Sequence, residues 1–560
     1  MQQAWRVARE DRARTLEWAR LLDVPHIVAH LLTRRGIETC EEAKRFLNPS
    51  VCHIADPFLL QDMSLAVERI RDARERQERV LVFGDYDVDG VAGTAILLRA
   101  LRDFGLVHVE YGLPSRFTDG YGLSPDRVEA AHQNGVTLII TVDNGINARE
   151  AAAVARQHGI NLIVTDHHQL EGDLPEALAI VNPARDPASD PETRISGAAV
   201  AFKLAWALTG KKEDLDIVAL GTVADVVPLR GENRDFVAAG IEEMRKRPRL
   251  GLQALASVAR MSLDEVTAEN IMFQLGPRLN AAGRLNDAVT SLDLLLTDSP
   301  SAANRMAAEL NRANQERRDI EQAMFEQAVR EVEETLGEGR HSIVLAHKDW
   351  HPGVIGIVAS KLAGRFNRPT VLIAVGEDGV GRGSGRSAPE FDLVGALGAC
   401  AQCLERFGGH LAAAGMTIHA DTIDSFKEAF EREAAGRSHS DASYSTLDVD
   451  GQVSLVEIDG KLVRTLDRLQ PFGHGNPAPV FCCYGVEVLP SSVREVRGGH
   501  VKFDVRQEGR VASVIAFRMA RASVPNGSVD IAFTPQLNTW RGETAVQLSL
   551  KDIHAGSLHP

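Results

Sequence analysis

Three carboxylates fall within five residues at Gly84-Asp85-Tyr86-Asp87-Val88-Asp89-Gly90, directly after the apolar run 80–83. The run reads as a buried strand, and Gly90 opens a helical stretch. Ligands of open α/β sheets bind just past the carboxyl ends of strands. Carboxylates crowded there repel one another unless cations lie between them. One Asp suffices for an Asx turn or a helix cap, so three point to cation binding rather than capping. An EF-hand loop would share Asp85, Asp87, Asp89 and Gly90, but its twelfth position is Ile96 instead of Glu and a strand precedes it.

Two further strand ends repeat the chemistry, Val142-Asp143-Asn144-Gly145 and Thr165-Asp166-His167-His168. A lone histidine is ordinarily a packed or surface residue. Two in succession after an Asp, beside other acidic strand ends, read as ligands instead. Asp225, in Val223-Ala224-Asp225-Val226-Val227-Pro228-Leu229, follows an apolar helix and is a fourth candidate. Mixed carboxylate and imidazole donors suit Mn2+ or Mg2+, with the nitrogens favouring Mn2+. No cysteine stands in these motifs, which argues against structural zinc.

The elements that must position these groups alternate. Apolar strands at 80–83, 109–113, 138–142 and 162–165 are separated by helical stretches at 94–104, 125–134 and 148–158. That pattern predicts an α/β fold with a doubly wound, mostly parallel sheet. The charged run 301–336 carries a loose apolar stripe (Leu310, Ile320, Met324, Val332, Leu336) and reads as a connecting helix. A second, smaller α/β pattern follows, with strands at 343–346 and 371–374, and then alternating β-like sequence with Gly-rich turns that suggests a small barrel or sandwich. The expected division is an N-terminal helical segment 1–75, a catalytic domain 76–300, a connecting helix 301–338, a second domain 339–437 and a β domain 438–560.

Composition sets limits. The chain of 560 residues has a net charge of −15, so it cannot hold nucleic acid by bulk charge and would need a local basic track together with cations. The six cysteines form no disulfide framework, and Cys400 and Cys403, spaced as CxxC in an apolar stretch, read as packing residues. No apolar run approaches the roughly 18 to 20 residues that span a bilayer, and the first residues hold no apolar signal core, so a cytoplasmic protein is expected. Phe503, Phe517 and Trp540 are candidate stacking platforms that read more readily as core.

In order, GDYDVDG, TVDNG, TDHH and VADVVPL resemble the successive motifs of the DHH phosphoesterase superfamily. The segments 114–123, 276–285, 383–387, 408–415 and 469–477 are similar to its single-strand-specific exonuclease branch. The resemblance implies a DHH catalytic domain, a DHHA1-type second domain and an OB-like barrel. It implies that Asp85, Asp87, Asp89, Asp143, His167, His168 and Asp225 surround two divalent ions, Mn2+ or Mg2+. Smaller members often carry a His where this chain has Leu81, and Asp89 would supply the missing ligand. The two ions would polarise a phosphodiester and activate water, with His168 contacting the transition state and His410 reaching the phosphate from the second domain. Arg116, Arg278, Arg284, Ser384 and Arg386 become candidates for a 5′-phosphate pocket, against the plainer reading of surface or interdomain salt bridges. The implied activity is 5′→3′ digestion of single-stranded DNA to 5′-mononucleotides in recombination and repair. A single-strand-binding protein and a recombination helicase are the implied partners, there is no membrane association, and the chain is a monomer. The alternatives are a DHH oligoribonuclease, cyclic-dinucleotide phosphodiesterase or pyrophosphatase, and a non-catalytic single-strand clamp.

Overall fold

The computed structural model describes all residues except 1–2, 116–121, 189, 286, 336–338, 388–390, 438–445, 497, 541–542 and 557–560. Strands Val80–Phe83, Leu138–Val142 and Asn161–Thr165 are apolar at nearly every position and are buried on both faces. This is the condition under which a parallel sheet is stable, because helices must then cover both sides. Alternate residues point to opposite faces. Val80, Val82, Leu138 and Ile140 pack with Ile96, Phe202 and Leu220, whereas Phe83, Ile139, Leu162 and Val164 pack with Val128 and Ala152.

The five strands are parallel, and their spatial order is Val109–Gly112, Val80–Phe83, Leu138–Val142, Asn161–Thr165, Ala179–Val181. Val80–Phe83, the first of the five in chain order, thus has the second on one side and the third on the other. Loops leaving these two strands part in opposite directions and open a crevice at their carboxyl ends. The helix expected at 94–104 begins earlier, at Val88, because Asp87 caps it by accepting hydrogen bonds from the N–H groups of Asp89 and Gly90. The acidic motif is therefore the strand–helix junction itself.

A helix of 36 residues, Pro300–Thr335, leads to the second domain. Ala303, Ala307 and Leu310 at its start sit in the first domain's core, while Met324, Ala328 and Val332 sit in the second domain's. Leu336 lies outside the described residues. The second sheet runs Arg406–His410, Ala413–His419, Val380–Arg386, Thr370–Val375, Ile343–His347, and only its last pair is parallel. Cys400 and Cys403 are free thiols, and Cys400 is buried beside helix Leu393–Ala399, with burial pushing its pKa up to about 11.

In the C-terminal domain Phe481–Val488 pairs with Ser528–Trp540 on one edge and with His500–Gln507 on the other, which closes the sheet into a barrel. Phe503 is core there; Phe517 is 56% exposed. The side chain of Trp540 lies outside the described set. The N-terminal segment, read as helical, also contributes a strand, Ala4–Val7, parallel to Thr446–Val449. Trp18, Val28 and Leu31 share one core with Leu469, Phe481 and Phe503 of the barrel. Helix Met63–Glu75 packs instead into the first domain.

The barrel is docked onto the segment that follows Asp225. Leu229 N–H donates to the His474 carbonyl (2.8 Å), and a Cβ at Gly475, whose φ is +70°, would lie 2.8 Å from Pro228 Cβ. The buried Arg234 guanidinium donates to the carbonyls of Phe46, Arg468, Leu469 and Gln470, and burial with nearby Arg35 lowers its pKa to about 9. Among the described residues, no helix is long and apolar enough to cross a membrane.

Candidate metal centre

The crevice at the first sheet's carboxyl edge holds all seven expected ligand residues. Asp85 and Asp87 come from the loop after Val80–Phe83, and Asp89 from the first turn of the helix it starts. Asp143 follows Leu138–Val142 with a φ of 62°. Short polar side chains tolerate that left-handed conformation better than most. The neighbouring Asn144 donates to the carbonyls of Phe83 and Val142 and so ties the first and third strand ends together across the crevice. Asp225 caps the carboxyl end of helix Leu215–Ala224.

Asp166 builds the histidine pair. One of its carboxylate oxygens accepts from the N–H groups of His167 and His168 and from Nδ1 of His168 (2.8 Å), and the other accepts from Ile146 N–H. A carboxylate behind an imidazole fixes its tautomer and direction. His167 is left with Nε2 buried and making no hydrogen bond. Around that atom stand Asp143 Oδ1 at 3.1 Å, Asp225 Oδ2 at 3.5 Å and Asp89 Oδ2 at 3.9 Å.

The electrostatics follow from this crowding. Burial, and then the charges of the neighbouring Asp residues, push the carboxyls of Asp143 and Asp225 well above the usual range. Asp89 is raised to about 7 by burial and by Asp87, although it accepts N–H bonds from Gly197 (2.6 Å) and Ala198 (3.0 Å). Burial, with the charge of His168, lowers His167 to about 3, so it is a neutral imidazole of the kind that ligates metals. Burial alone would lower His168 too, but its bond to Asp166 prevails and raises it to about 9. Single ligand atoms of Asp85, Asp87 and Asp143, of Asp89, His167 and Asp225, and of Asp143, His167 and His168 gather in three groups, each with its atoms within 4.8 Å of one another. An oxygen-rich, partly imidazole donor set around an orphaned buried nitrogen fits hard or borderline divalent cations.

Sequence reasoning missed the wall opposite the acidic loops. Ser196 caps helix Gly197–Thr209, and the start of that helix supplies the two N–H groups that hold Asp89. Gly197 and Gly221 are small because they must be. A Cβ at Gly197 would stand 2.5 Å from Asp143 Oδ1, and one at Gly221 would stand 2.4 Å from Asp89 Oδ1. Asn280 accepts from Val88 N–H (3.1 Å) and steadies the acidic turn from the helix Gly276–Leu285. The N-capping serine before small residues was the available signal, but nothing local tied it to Asp89.

Of the described basic candidates, Arg284 bonds across to the second domain and the others bond within their own. Arg278 donates to Asn311 Oδ1 (3.0 Å) and to the Gln274 carbonyl (2.7 Å). Arg284 donates across the cleft to the Gly353 carbonyl (3.3 Å). Arg284 and Asn280, with Ala224, Arg317 and Ile357, line a cavity of about 230 Å3. On the second sheet Arg386 donates to Ser384 Oγ (3.0 Å) and packs on Gly356, where an added Cβ would lie 3.0 Å from its Nη2. His410 is exposed at the end of an edge strand and is not gathered into the carboxylate cluster. Arg116 lies outside the described residues.

Comparison with known proteins agrees with this geometry. Family models match in three places: the DHH family N-terminal domain at residues 79–222, the DHHA1 domain at 339–436 and the RecJ OB domain at 449–552. The single-stranded-DNA-specific exonuclease RecJ of Bacillus subtilis is 35% identical over 98% of this chain and 70% of its own length. That of Escherichia coli is 34% identical over 95% of this chain and 96% of its own. The crystal structure of Thermus thermophilus RecJ with Mn2+, 30% identical, superposes with a TM-score of 0.85 over 99% of this chain and 80% of that one. A second structure of the Thermus protein contains Mg2+ and gives a TM-score of 0.78. With these identities over nearly the full length and the three domains in the same order, the chain belongs to the RecJ family.

Proposed function

We propose that this chain is a metal-dependent exonuclease that removes 5′-mononucleotides from the 5′ end of single-stranded DNA. The observation that carries the reading is the convergence of Asp89, Asp143 and Asp225 on the buried, neutral Nε2 of His167, with Asp85 and Asp87 gathered on the other side of Asp143. Asp85, Asp87, Asp89, Asp143, His167 and Asp225 are the residues that would hold two divalent ions, Mn2+ or Mg2+, with His168 beside them. Bound there, such ions supply Lewis acidity to phosphodiester hydrolysis.

The chain's own residues do the rest. His168, kept protonated by Asp166, offers a charged donor to a phosphate oxygen. Ser384 and Arg386, with Arg284, Arg278 and Arg116, form the pocket for a terminal 5′-phosphate, and His410 closes on the scissile phosphate when substrate fills the cleft. In the reaction water adds across one P–O3′ bond. The released 5′-mononucleotide takes a proton on its 3′ oxygen, and the shortened strand keeps a new 5′-phosphate. A cleft between two α/β domains admits one strand more readily than a duplex, and the barrel extends the track. Recombination and repair are the setting, a single-strand-binding protein and a helicase are the partners, and the enzyme acts as a cytoplasmic monomer.

The test is digestion of end-labelled strands in Mn2+. A 5′ label should appear as mononucleotide from the first turnover, while a 3′ label stays in long products until late. Early release of the 3′ label would reverse the polarity. A dinucleotide cleaved far faster than a long strand would move the assignment to small-substrate phosphodiesterases.

A further inference from the structure

We infer that an apolar groove beginning beside Asp225 is a base-stacking subsite for single-stranded DNA, with Phe273 as its platform. The inference rests on the exonuclease reading above. The helical run 268–285 is interrupted by a π-helical turn at Ile271–Leu275. Such turns insert a residue, redirect a side chain and recur at functional sites. Ile271 and Leu275 point into the core, and between them Phe273 stands 64% exposed, more than Phe58 or Phe517. With Val226, 47% exposed in the same groove, it forms a contiguous apolar patch, and such patches mark interaction sites where single exposed side chains do not.

The groove has a volume of about 370 Å3, and Val226, Val227, Met272, Phe273, Phe472 and Lys551 are in its walls. One end starts at Val226, the residue after a carboxylate of the cluster. Val226 has a φ of 61°, which a β-branched residue rarely adopts, and is 47% exposed. The chain is turned sharply here, so Asp225 joins the cluster while Val226 joins the groove. Its charged lining residues are Lys551, on the barrel strand Glu543–Ala555, and Glu269, which is exposed to solvent. The far wall is fixed in advance, because the turn carrying His474 is bonded to Leu229 and packed on Pro228.

Apolar walls with an aromatic face and a lysine from the barrel suit a strand whose bases turn inward and whose backbone follows the rim. Net charge points the same way. At −15 the chain cannot grip phosphates by general attraction. Stacking grips every base equally, as an exonuclease without sequence preference requires. The groove continues from the metal centre to the barrel, so its occupant is the part of the strand not yet digested.

The experiment uses the full chain with a chelator, so that strands stay intact. Oligonucleotides with a 5′-phosphate carry 2-aminopurine at successive positions. Quenching should be confined to one or two adjacent positions, vanish in Phe273→Ala and persist in Phe273→Trp. Phe273→Ala should weaken binding about tenfold, the effect of losing one base–aromatic stack. In Mn2+ the loss should fall mainly on KM rather than kcat. Phe273→Leu keeps apolar area without a π face, so Leu binding as tightly as Phe would overturn the platform. If the wild type digests single strands and no position is quenched, the groove assignment fails alone. If it digests none, both readings fall. A wild-type dimer that Phe273→Ala dissolves, with strand binding unaltered, would give the groove to a second copy and overturn the assignment.

Discussion

The two α/β domains each carry a set of polar side chains assigned to the site, and the two sets are built in opposite ways. In the first domain Asp85, Asp89 and Asp143 are each at most 2% exposed, and backbone N–H groups and glycine contacts fix the cluster. In the second domain Ser384 and Arg386 are only half-buried and bond to each other, and His410 is exposed. Burying like charges is unfavourable unless something of opposite charge joins them. The first set therefore has its geometry imposed before substrate arrives, whereas the second is held by fewer buried contacts. Substitutions should affect chemistry in the first set and affinity in the second.

The largest effect expected is in the cluster itself. Asp87→Ala, Asp143→Ala and His167→Ala should each lower turnover about a thousandfold or more, as loss of a group acting on the transition state does. Circular dichroism should be unchanged, and in metal-free buffer Asp143→Ala should melt no lower than wild type, since it relieves repulsion among buried charges. A variant that kept a tenth of wild-type turnover would contradict the comparison. Next in size are the glycines that give the carboxylates room. Gly197→Ala places a methyl 2.5 Å from Asp143 Oδ1, and something must shift. Displacements near 1 Å in a preorganised site cost about a hundredfold. Turnover and Mn2+ affinity measured on one preparation should fall together.

Arg386→Ala sharpens the other side. If it serves the terminal phosphate, KM for a 5′-phosphorylated strand should rise about tenfold, with kcat nearly kept and a 5′-hydroxyl strand hardly affected. Arg386→Lys should recover only part, because an ammonium lacks the planar fork. Equal losses on both kinds of end would place Arg386 in fold maintenance.

The same contrast explains what could be read from the chain. Asp85, Asp87 and Asp89 announce themselves because three adjacent acids have few uses, and runs such as 80–83 and 138–142 are apolar throughout because both their faces are covered. The wall that holds Asp89 was not legible. Its donor Gly197 lies 108 residues away, and a glycine is the least informative letter in a sequence. The strand Ala4–Val7 was hidden for the same reason, since it is short and its partner around Asp448 stands 442 residues along. The π turn at Ile271–Leu275 breaks an otherwise ordinary helical pattern, and it packs against helices Leu215–Ala224 and Leu250–Ala259, which lie elsewhere in the sequence. Local chemistry was readable; the contacts that aim it come from tertiary structure.

The smallest effect is thermodynamic and asks whether the cluster is unfavourable without cations. Asp89 titrates near 3.8 when unfolded and at about 7 in the fold, because of burial and then Asp87, and Asp143 and Asp225 shift the same way. A raised carboxyl binds its proton more tightly when folded. Its stabilising contribution is complete below pH 3.8 and is lost as pH rises to about 7. Above that window the fold must carry the bare charges, and a bound divalent ion is the species that offsets them. Mn2+ at about a hundred times its Kd should stabilise the protein by about 2.7 kcal/mol at pH 8, a shift of several degrees in melting temperature. At pH 5.5 protons compete for the same oxygens, so the Mn2+ shift should shrink. It should shrink as well in His167→Ala at pH 8. Scanning calorimetry at the two pH values decides it: equal Mn2+ shifts at both, or in wild type and His167→Ala alike, would mean that the cations bind elsewhere and that the buried carboxylates are not what they neutralise.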